Sequence, residues 1–146
     1  MNYLNSTSLV SLRRRHKTLD HRDGAAVVEL SVVLPVFVLI LMGTIETCKM
    51  IFLQQSLEIA AYEATRVTIV PTSSVTEVEN AAISLLRARR VNDATIAITP
   101  SDFQNAPYGS FIRVDVSAPC GSNASFLLRF YSSKTLTGTV EMMKEF

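Results

Sequence analysis

Hydrophobic residues follow different spacings in different parts of this 146-residue chain. The first pattern is an almost unbroken apolar run from Ala25 to Ile45, in which sixteen of 21 residues are apolar and Glu29 alone is charged. A helix rises about 1.5 Å per residue, so a helix of this length covers about 30 Å, the thickness of a bilayer core. A core helix of a soluble protein has a polar face, and this run has none. The pattern predicts a transmembrane helix over residues 25–45.

The second pattern is helical and follows directly. Apolar residues recur in steps of three and four, at Met50, Leu53, Leu57, Ala60, Ala64 and Val67. This spacing is one face of an amphipathic helix. Neither Gly nor Pro occurs between Thr44 and Val70, so we predict one helix from Ala25 to about Val67, ended by Pro71, with Glu63 and Arg66 paired on its surface. Its Ala-rich end predicts close packing against a sheet of the same chain, with a partner helix as the alternative.

The remaining patterns predict a second helix and three strands. Ser74-Val75-Thr76-Glu77 is typical of a capping box, and the helix after it is expected to run to about Arg90 with four side chains inward: Val78, Ala81, Ala82 and Leu85. Alternation over 95–99, 110–117 and 135–143 predicts an antiparallel meander. The apolar group Phe126, Leu127, Leu128, Phe130 and Tyr131 is either a loop on the core or a contact with a partner or the bilayer. The predicted fold is α+β and pilin-like: a long N-terminal transmembrane helix that continues into a small domain with a second helix and a three-stranded antiparallel meander.

Charge adds an orientation to this fold. Charged residues make up 18% of the chain and hydrophobic ones 48%, against about a quarter charged in a soluble domain. Residues 1–24 carry a net charge of +3 although the whole chain carries +1. Positive residues next to a span stay in the cytoplasm. We therefore predict a basic cytoplasmic leader at 1–24, the transmembrane helix at 25–45 and an extracytoplasmic domain at 46–146.

Two residues inside the span are unusual. Pro35 lies mid-span, removes one backbone hydrogen bond and is expected to bend the helix locally, as a tolerated kink rather than a functional hinge. Glu29 is costly in hydrocarbon, by about 2.5–3.5 kcal/mol on insertion scales. It either reaches the nearby headgroups or meets a cation from a neighbouring chain.

Motifs at both ends of the span carry a family resemblance. Gly24-Ala25, followed by Glu29 at the border of a basic leader and an apolar helix, resembles a type IV prepilin processing site. With Leu34-Pro35, Gly43-Thr44-Ile45-Glu46-Thr47-Cys48-Lys49 and Ala60-Ala61-Tyr62-Glu63-Ala64-Thr65-Arg66, residues 22–67 are similar to the TadE-like minor pseudopilins of tight-adherence (Flp) pilus systems. The sequence departs from that family at Lys49, Tyr62 and Thr65.

The resemblance implies a function. It implies a single-pass protein of the bacterial inner membrane that assists assembly or initiation of a tight-adherence (Flp, type IVb) pilus. A prepilin peptidase would cut after Gly24, leaving Ala25 first, and other pilus-assembly subunits would be partners. Two alternatives stay open: an uncleaved membrane-anchored envelope protein whose outer domain tethers a complex or binds a surface ligand, and a soluble domain released after residue 45.

Residue types needed for most catalysis are scarce. His16 and His21 are the only histidines and both precede Gly24, so we expect no nucleophilic triad, metal site or cofactor in the outer domain. The chain is not expected to be an enzyme or to bind a small-molecule substrate or nucleic acid. Cys48 and Cys120 face the oxidising side in this topology, and an intrachain disulfide, an intermolecular one and free thiols are all open.

Overall fold

The protein is seen here as a computed structural model that describes residues 21–124 and 132–145, with side chains from Gly24 onward. Its elements in chain order are helix α1 (His21–Thr68), helix α2 (Val75–Ala88), strand β1 (Thr95–Thr99), strand β2 (Phe111–Pro119), a short helix α3 (Cys120–Asn123) and strand β3 (Thr135–Met143). The chain divides into two units at Phe37, and the core lies wholly in the second unit. This is the predicted α+β architecture.

Helix α1 is one element, as its unbroken spacing predicts, and it includes Pro35. Helix α2 begins with the predicted capping box: the Ser74 hydroxyl accepts from the Glu77 amide, and the Glu77 carboxylate accepts from the Ser74 amide at 2.8 Å. These two bonds satisfy amide groups that a helix start leaves without partners. The helix ends at Ala88 rather than near Arg90, because Arg90 adopts a left-handed φ of 56° that a helix cannot continue through.

The three strands form an antiparallel sheet in the order β1-β2-β3. Ile96 pairs with Val116, and Val116 pairs with Gly138, so the apolar positions of the three strands share one face. Two of the predicted strand ranges are confirmed, at 95–99 and 135–143. The middle strand is longer than predicted, because Pro119 does not break it: Pro119 is its last residue and pairs with Thr135 at the end of the ladder.

The core lies between that face of the sheet and the stripe on α1. Helix α1 contributes Met50, Leu53, Leu57, Ala60, Ala61 and Ala64, and the centre of the sheet contributes Ile112, Val114, Val116 and Ala118, all buried. Three of these helix residues are alanines, whose small side chains let the sheet approach closely. The sheet of the same chain is therefore the partner of the Ala-rich stripe. Helix α2 adds Val78, Ala82 and Leu86.

Some local features differ from the sequence expectation. Leu86 is the buried leucine of α2, and Leu85 and Ala81 are half-buried, since the helix is rotated slightly from the predicted phase. The loop at 100–110 contains a short 3-10 helix at Phe103–Asn105 that buries Phe103. The apolar group at 126–131 and the leader residues before His21 lie outside the described residues.

Candidate functional site

The first motif, Gly24, Ala25 and Glu29, lies near the start of α1. Every side chain from residue 24 to residue 40 is exposed, including the Glu29 carboxylate. Within the described residues, one helix is long and apolar enough to cross a membrane, and none of its most apolar stretch is buried in the protein. Leu39 and Ile40, for example, are 61% and 63% exposed. An apolar surface of this length needs an apolar surrounding, and a bilayer supplies one.

The second motif, Gly43-x-x-Glu46-x-x-Lys49, divides between the inside and the outside of the domain. Glu46 is only 1% exposed and lies four residues before Met50, so it extends the buried stripe of α1 by one turn. Its Oε1 has no hydrogen-bond partner among the residues that the structure describes. Lys49 is exposed and contributes to a cleft beside the C-terminus of α2.

The third motif, residues 60–66, divides in the same way. Ala60, Ala61 and Ala64 are fully buried against the sheet. Glu63 and Arg66 point outward and form the predicted ion pair, with Arg66 Nε 2.9 Å from Glu63 Oε2. An exposed pair of this kind adds little stability. The alanines of this motif therefore serve the packing of the domain, and its charged pair is available on the surface.

The two cysteines are free thiols on different sides of α1. Cys48 lies about 200° around the helix from both Glu46 and Met50, which face the core, and so its thiol is exposed. Cys120 begins α3, is buried, and has a pKa raised by that burial. The intrachain bridge that the sequence leaves open is not present in this structure.

The basic residues at the end of α2 meet α1, which the sequence alone did not indicate. The Arg89 guanidinium lies over the ring of Phe52, 5.8 Å from its centroid. Arg89, Arg90 and Lys49 line one cleft of about 280 Å³, and Asn123 lies at its edge. The Asn123 amide donates to the carbonyl oxygens of Asn92 and Pro119, which fixes that edge in place. The structure thus brings together three cations from positions forty residues apart.

A second cleft, of about 380 Å³, lies where α1 turns toward α2. Lys144 stands on one side and donates from Nζ to the carbonyl oxygens of Phe103, Gln104 and Ala106, at 2.8 to 3.1 Å. The Ser73 hydroxyl lines the same cleft and has no partner within the described parts of the chain. Lys144 ties the end of the last strand to the 3-10 helix, so its role in this structure is to hold the loop.

Asp115 lies on the outer face of the sheet. Among the acids in the part of the chain that the structure describes, its pKa clearly departs from its usual value. The Thr139 hydroxyl donates to Asp115, and Arg113 pairs with the same carboxylate at 3.1 Å. These contacts hold the pKa of Asp115 below its usual range, the Thr139 hydrogen bond being the larger cause, although partial burial acts the other way. Across residues 21–124 and 132–145, no three His, Cys, Asp or Glu side chains group as metal ligands would.

Comparison with known proteins bears on the segment that carries the motifs. Residues 24–66 match the model of a protein family described as TadE-like protein. This segment is TadE-like. The resemblance that the motifs indicate is therefore confirmed for that part of the chain. No curated protein and no solved structure matches the chain.

The TadE-like segment coincides with most of α1. It begins at Gly24, before the predicted scissile bond, and ends at Arg66, two residues before the helix does. It contains every motif residue discussed above: Ala25, Glu29, Pro35, Gly43, Glu46, Lys49, Glu63 and Arg66. Helix α2 and the sheet lie outside the match, and their part in the fold is known from the structure alone.

Proposed function

We propose that this chain is a single-pass membrane pseudopilin that assists the assembly or initiation of a tight-adherence (Flp, type IVb) pilus. The observation that carries the proposal is the TadE-like match over residues 24–66, which starts at the glycine of the processing motif. The exposed apolar surface of α1 supports the membrane anchor, since no described part of the chain covers it.

The proposed location is the bacterial inner membrane, with the leader in the cytoplasm and residues 46–146 outside. The net charge of +3 in residues 1–24 supports this orientation. A prepilin peptidase would then meet the Gly24–Ala25 bond on the cytoplasmic side. Its partners after cleavage would be other pilus-assembly subunits.

Glu29 gives the proposed cleavage a physical purpose. Cutting after Gly24 creates a positive α-amino group on Ala25. A carboxylate one helical turn along, on an adjacent subunit, would neutralise that charge within the bilayer. The exposed position of Glu29 on α1 leaves its carboxylate accessible to a neighbouring helix.

The structural part of the proposal is scaffolding rather than catalysis. Helix α1 includes both the exposed apolar stretch and the buried stripe of the domain as one helical element. The exposed Glu63–Arg66 pair and the sheet's outer face are surfaces on which other subunits can pack.

The mature N-terminus tests the proposal. The full chain, expressed in its own host and extracted from the membrane fraction, should have an intact mass that begins at Ala25. Gly24→Ala should leave the chain beginning at Met1 and abolish piliation. Val27→Ala keeps the Gly24–Ala25 bond and Glu29, and should be cut normally.

Two other outcomes would contradict the proposal. A wild-type chain that begins at Met1 in a host making these pili would favour the uncleaved envelope anchor. Recovery of the chain in the soluble fraction would favour release after residue 45.

A further inference from the structure

We propose that the cleft between Lys49, Arg89 and Arg90 binds the phosphate of an anionic phospholipid headgroup in the membrane that holds α1. The inference rests on the membrane anchor of the proposed function, but not on cleavage or on pilus assembly. The chemistry of the cleft and its height above the span both support it.

The cleft is positive and lacks an internal counter-charge. Three cations line it, and none of the described residues that line it is acidic. The two ion pairs found in the described structure are Glu63–Arg66 and Arg113–Asp115, so the cleft cations are in neither. Guanidinium groups bind phosphate with paired hydrogen bonds, and an ammonium group adds a point charge. The cleft thus presents both groups to one anion.

The height of the cleft matches that of the headgroups. Lys49 lies four residues past the end of the apolar run at Ile45, which is about 6 Å along a helix. The headgroup layer occupies about 5–7 Å on each side of the hydrocarbon core. Phe52, which lines the cleft, is 51% exposed, and an aromatic side chain is favourable at this depth.

The side chain of Arg89 is already oriented toward α1. Its guanidinium lies over the Phe52 ring, which holds the planar group beside the anchor helix. The Arg89 side chain is therefore held beside the cleft by a contact within the domain. An anion that enters the cleft meets one guanidinium, that of Arg89, whose position is already set, which lowers the entropic cost of binding.

The backbone of Arg90 allows a substitution that spares the fold. Arg90 occupies the left-handed position after α2, with the Arg90 amide donating to the Arg87 carbonyl and the Val91 amide to the Leu86 carbonyl. Glycine is the usual residue in this C-terminal motif because it has no Cβ. Thr72 and Asp93 also have a positive φ, so this conformation does not by itself mark a site, but a residue with a Cβ is less favourable here than glycine. The fold alone would be served better by glycine.

The test is lipid retention by the full chain. The protein is extracted from the membrane fraction in a neutral detergent, delipidated, and titrated with phosphatidylglycerol or phosphatidylcholine, with bound lipids counted by native mass spectrometry. Wild type should bind phosphatidylglycerol more tightly than phosphatidylcholine. Lys49→Gln should weaken that binding about fivefold, and Arg90→Gly by a similar factor. Arg90→Lys should retain most of it.

Arg90→Gly guards against loss of the fold, because it supplies the residue that the backbone conformation favours. Its melting temperature should equal or exceed that of wild type. The matched control is Arg113→Gln, which removes one exposed cation at the other end of the domain. Arg113 lies opposite Glu141 in the β2–β3 ladder, and the carbonyl of the adjacent residue, Val140, lies beside Thr65 of α1. Thr65 is about 24 Å further along α1 than Lys49. This control should bind lipid as wild type does.

Several results would overturn the inference. Equal affinity for the two lipids would do so, as would wild-type affinity for phosphatidylglycerol in the cleft variants. Inorganic phosphate that binds as tightly as phosphatidylglycerol would show a simple anion site. The chain is taken from the membrane fraction whether or not it is cleaved or forms pili. The lipid measurement therefore tests this inference separately from the cleavage and piliation of the proposed function.

Discussion

Gly138 of β3 lies against the α1 backbone at Leu57 with no space for a side chain between them. A Cβ built on Gly138 would lie 2.5 Å from the carbonyl carbon of Leu57 and 2.5 Å from the amide nitrogen of Glu58. Both neighbours are backbone atoms, which cannot rotate away. Strand and helix therefore touch main chain to main chain at this point, and the Gln54 side chain donates to the adjacent Thr137 carbonyl at 3.1 Å.

Gly138→Ala should separate the sheet from α1. Relieving the contact requires the strand or the helix to shift, which overpacks or opens the core around Leu57. We expect a loss of about 3 kcal/mol in the free energy of unfolding. Thermal unfolding of the full chain in detergent, followed by circular dichroism, would show a melting temperature lower by more than 10 °C.

Gly43→Ala is the matched control for this change. A Cβ at Gly43 meets no atom within 4 Å, and alanine is the better helix former. Its melting temperature should equal or exceed that of wild type. A Gly138→Ala protein as stable as the control would mean that strand and helix do not approach as closely as the structure has them.

The strands of the sheet are predicted well from the sequence, because the local alternation of apolar and polar residues is strong there. Strict alternation predicts the ranges of β1 and β3, and in β3 it puts Gly138 in line with Leu136 and Val140. Nothing in the alternation says which helix residue faces a given strand residue, because that depends on how the two elements cross. The contact with Leu57 is therefore a result of tertiary packing and was outside the reach of periodicity.

Buried polar side chains show the same limit. Glu46 continues the stripe four residues before Met50, and that spacing was visible, but a carboxylate is seldom expected inside. Thr65 is also buried, and its hydroxyl donates to the Ala61 carbonyl at 2.6 Å. A polar residue of this kind satisfies its own hydroxyl within the helix, so the residue type gave no warning of its burial.

The candidate site divides between what the motifs predict and what packing adds. The processing motif and the Glu63–Arg66 pair depend on residues close in sequence, so the chain alone was enough to identify them. The cleft joins Lys49 to Arg89 and Arg90 across forty residues. The sequence favours the helix dipole as the reason for these arginines over a contact with anionic lipid or nucleic acid. Only the fold shows that the end of α2 lies beside Phe52.

Ser74→Ala should destabilise α2 at its start. The substitution removes the hydroxyl that accepts from the Glu77 amide and leaves that amide with the backbone carbonyl of residue 74 as its acceptor. We expect a cost of about 1 kcal/mol, measured by thermal unfolding of the full chain. Thr76→Ala, an exposed change in the same turn, should cost less. A Ser74→Ala protein that matches the Thr76 variant would contradict the capping role.

Asp115 makes stability depend on acid pH. Its pKa is lower in the folded chain than in the unfolded one, because Thr139 and Arg113 stabilise the carboxylate. Its contribution is therefore complete above the unfolded pKa of about 4 and is lost as the pH falls through the lower folded value. Melting temperatures measured from pH 5 down to pH 2.5 should fall less for Asp115→Asn than for wild type.

The control for the acid experiment is Glu79→Gln. Glu79 is an exposed acid on α2, and its removal leaves the Thr139 and Arg113 contacts intact. This variant should follow the wild-type curve. If Asp115→Asn lost as much stability as wild type over the same range, those contacts would not stabilise the ionised carboxylate.

Glu29→Gln separates cleavage from assembly. Glutamine keeps the size and polarity of the side chain but removes the negative charge that would face the α-amino group of Ala25. The Gly24–Ala25 bond is untouched, so the intact mass should still begin at Ala25, whereas piliation and surface attachment should fall at least tenfold. Glu58→Gln, which removes an exposed acid from the domain part of the same helix, should leave both unchanged. Normal filaments from a correctly cut Glu29→Gln chain would show that the mature N-terminus finds its counter-charge elsewhere, and the electrostatic reason for an acid at this point of the span would be wrong.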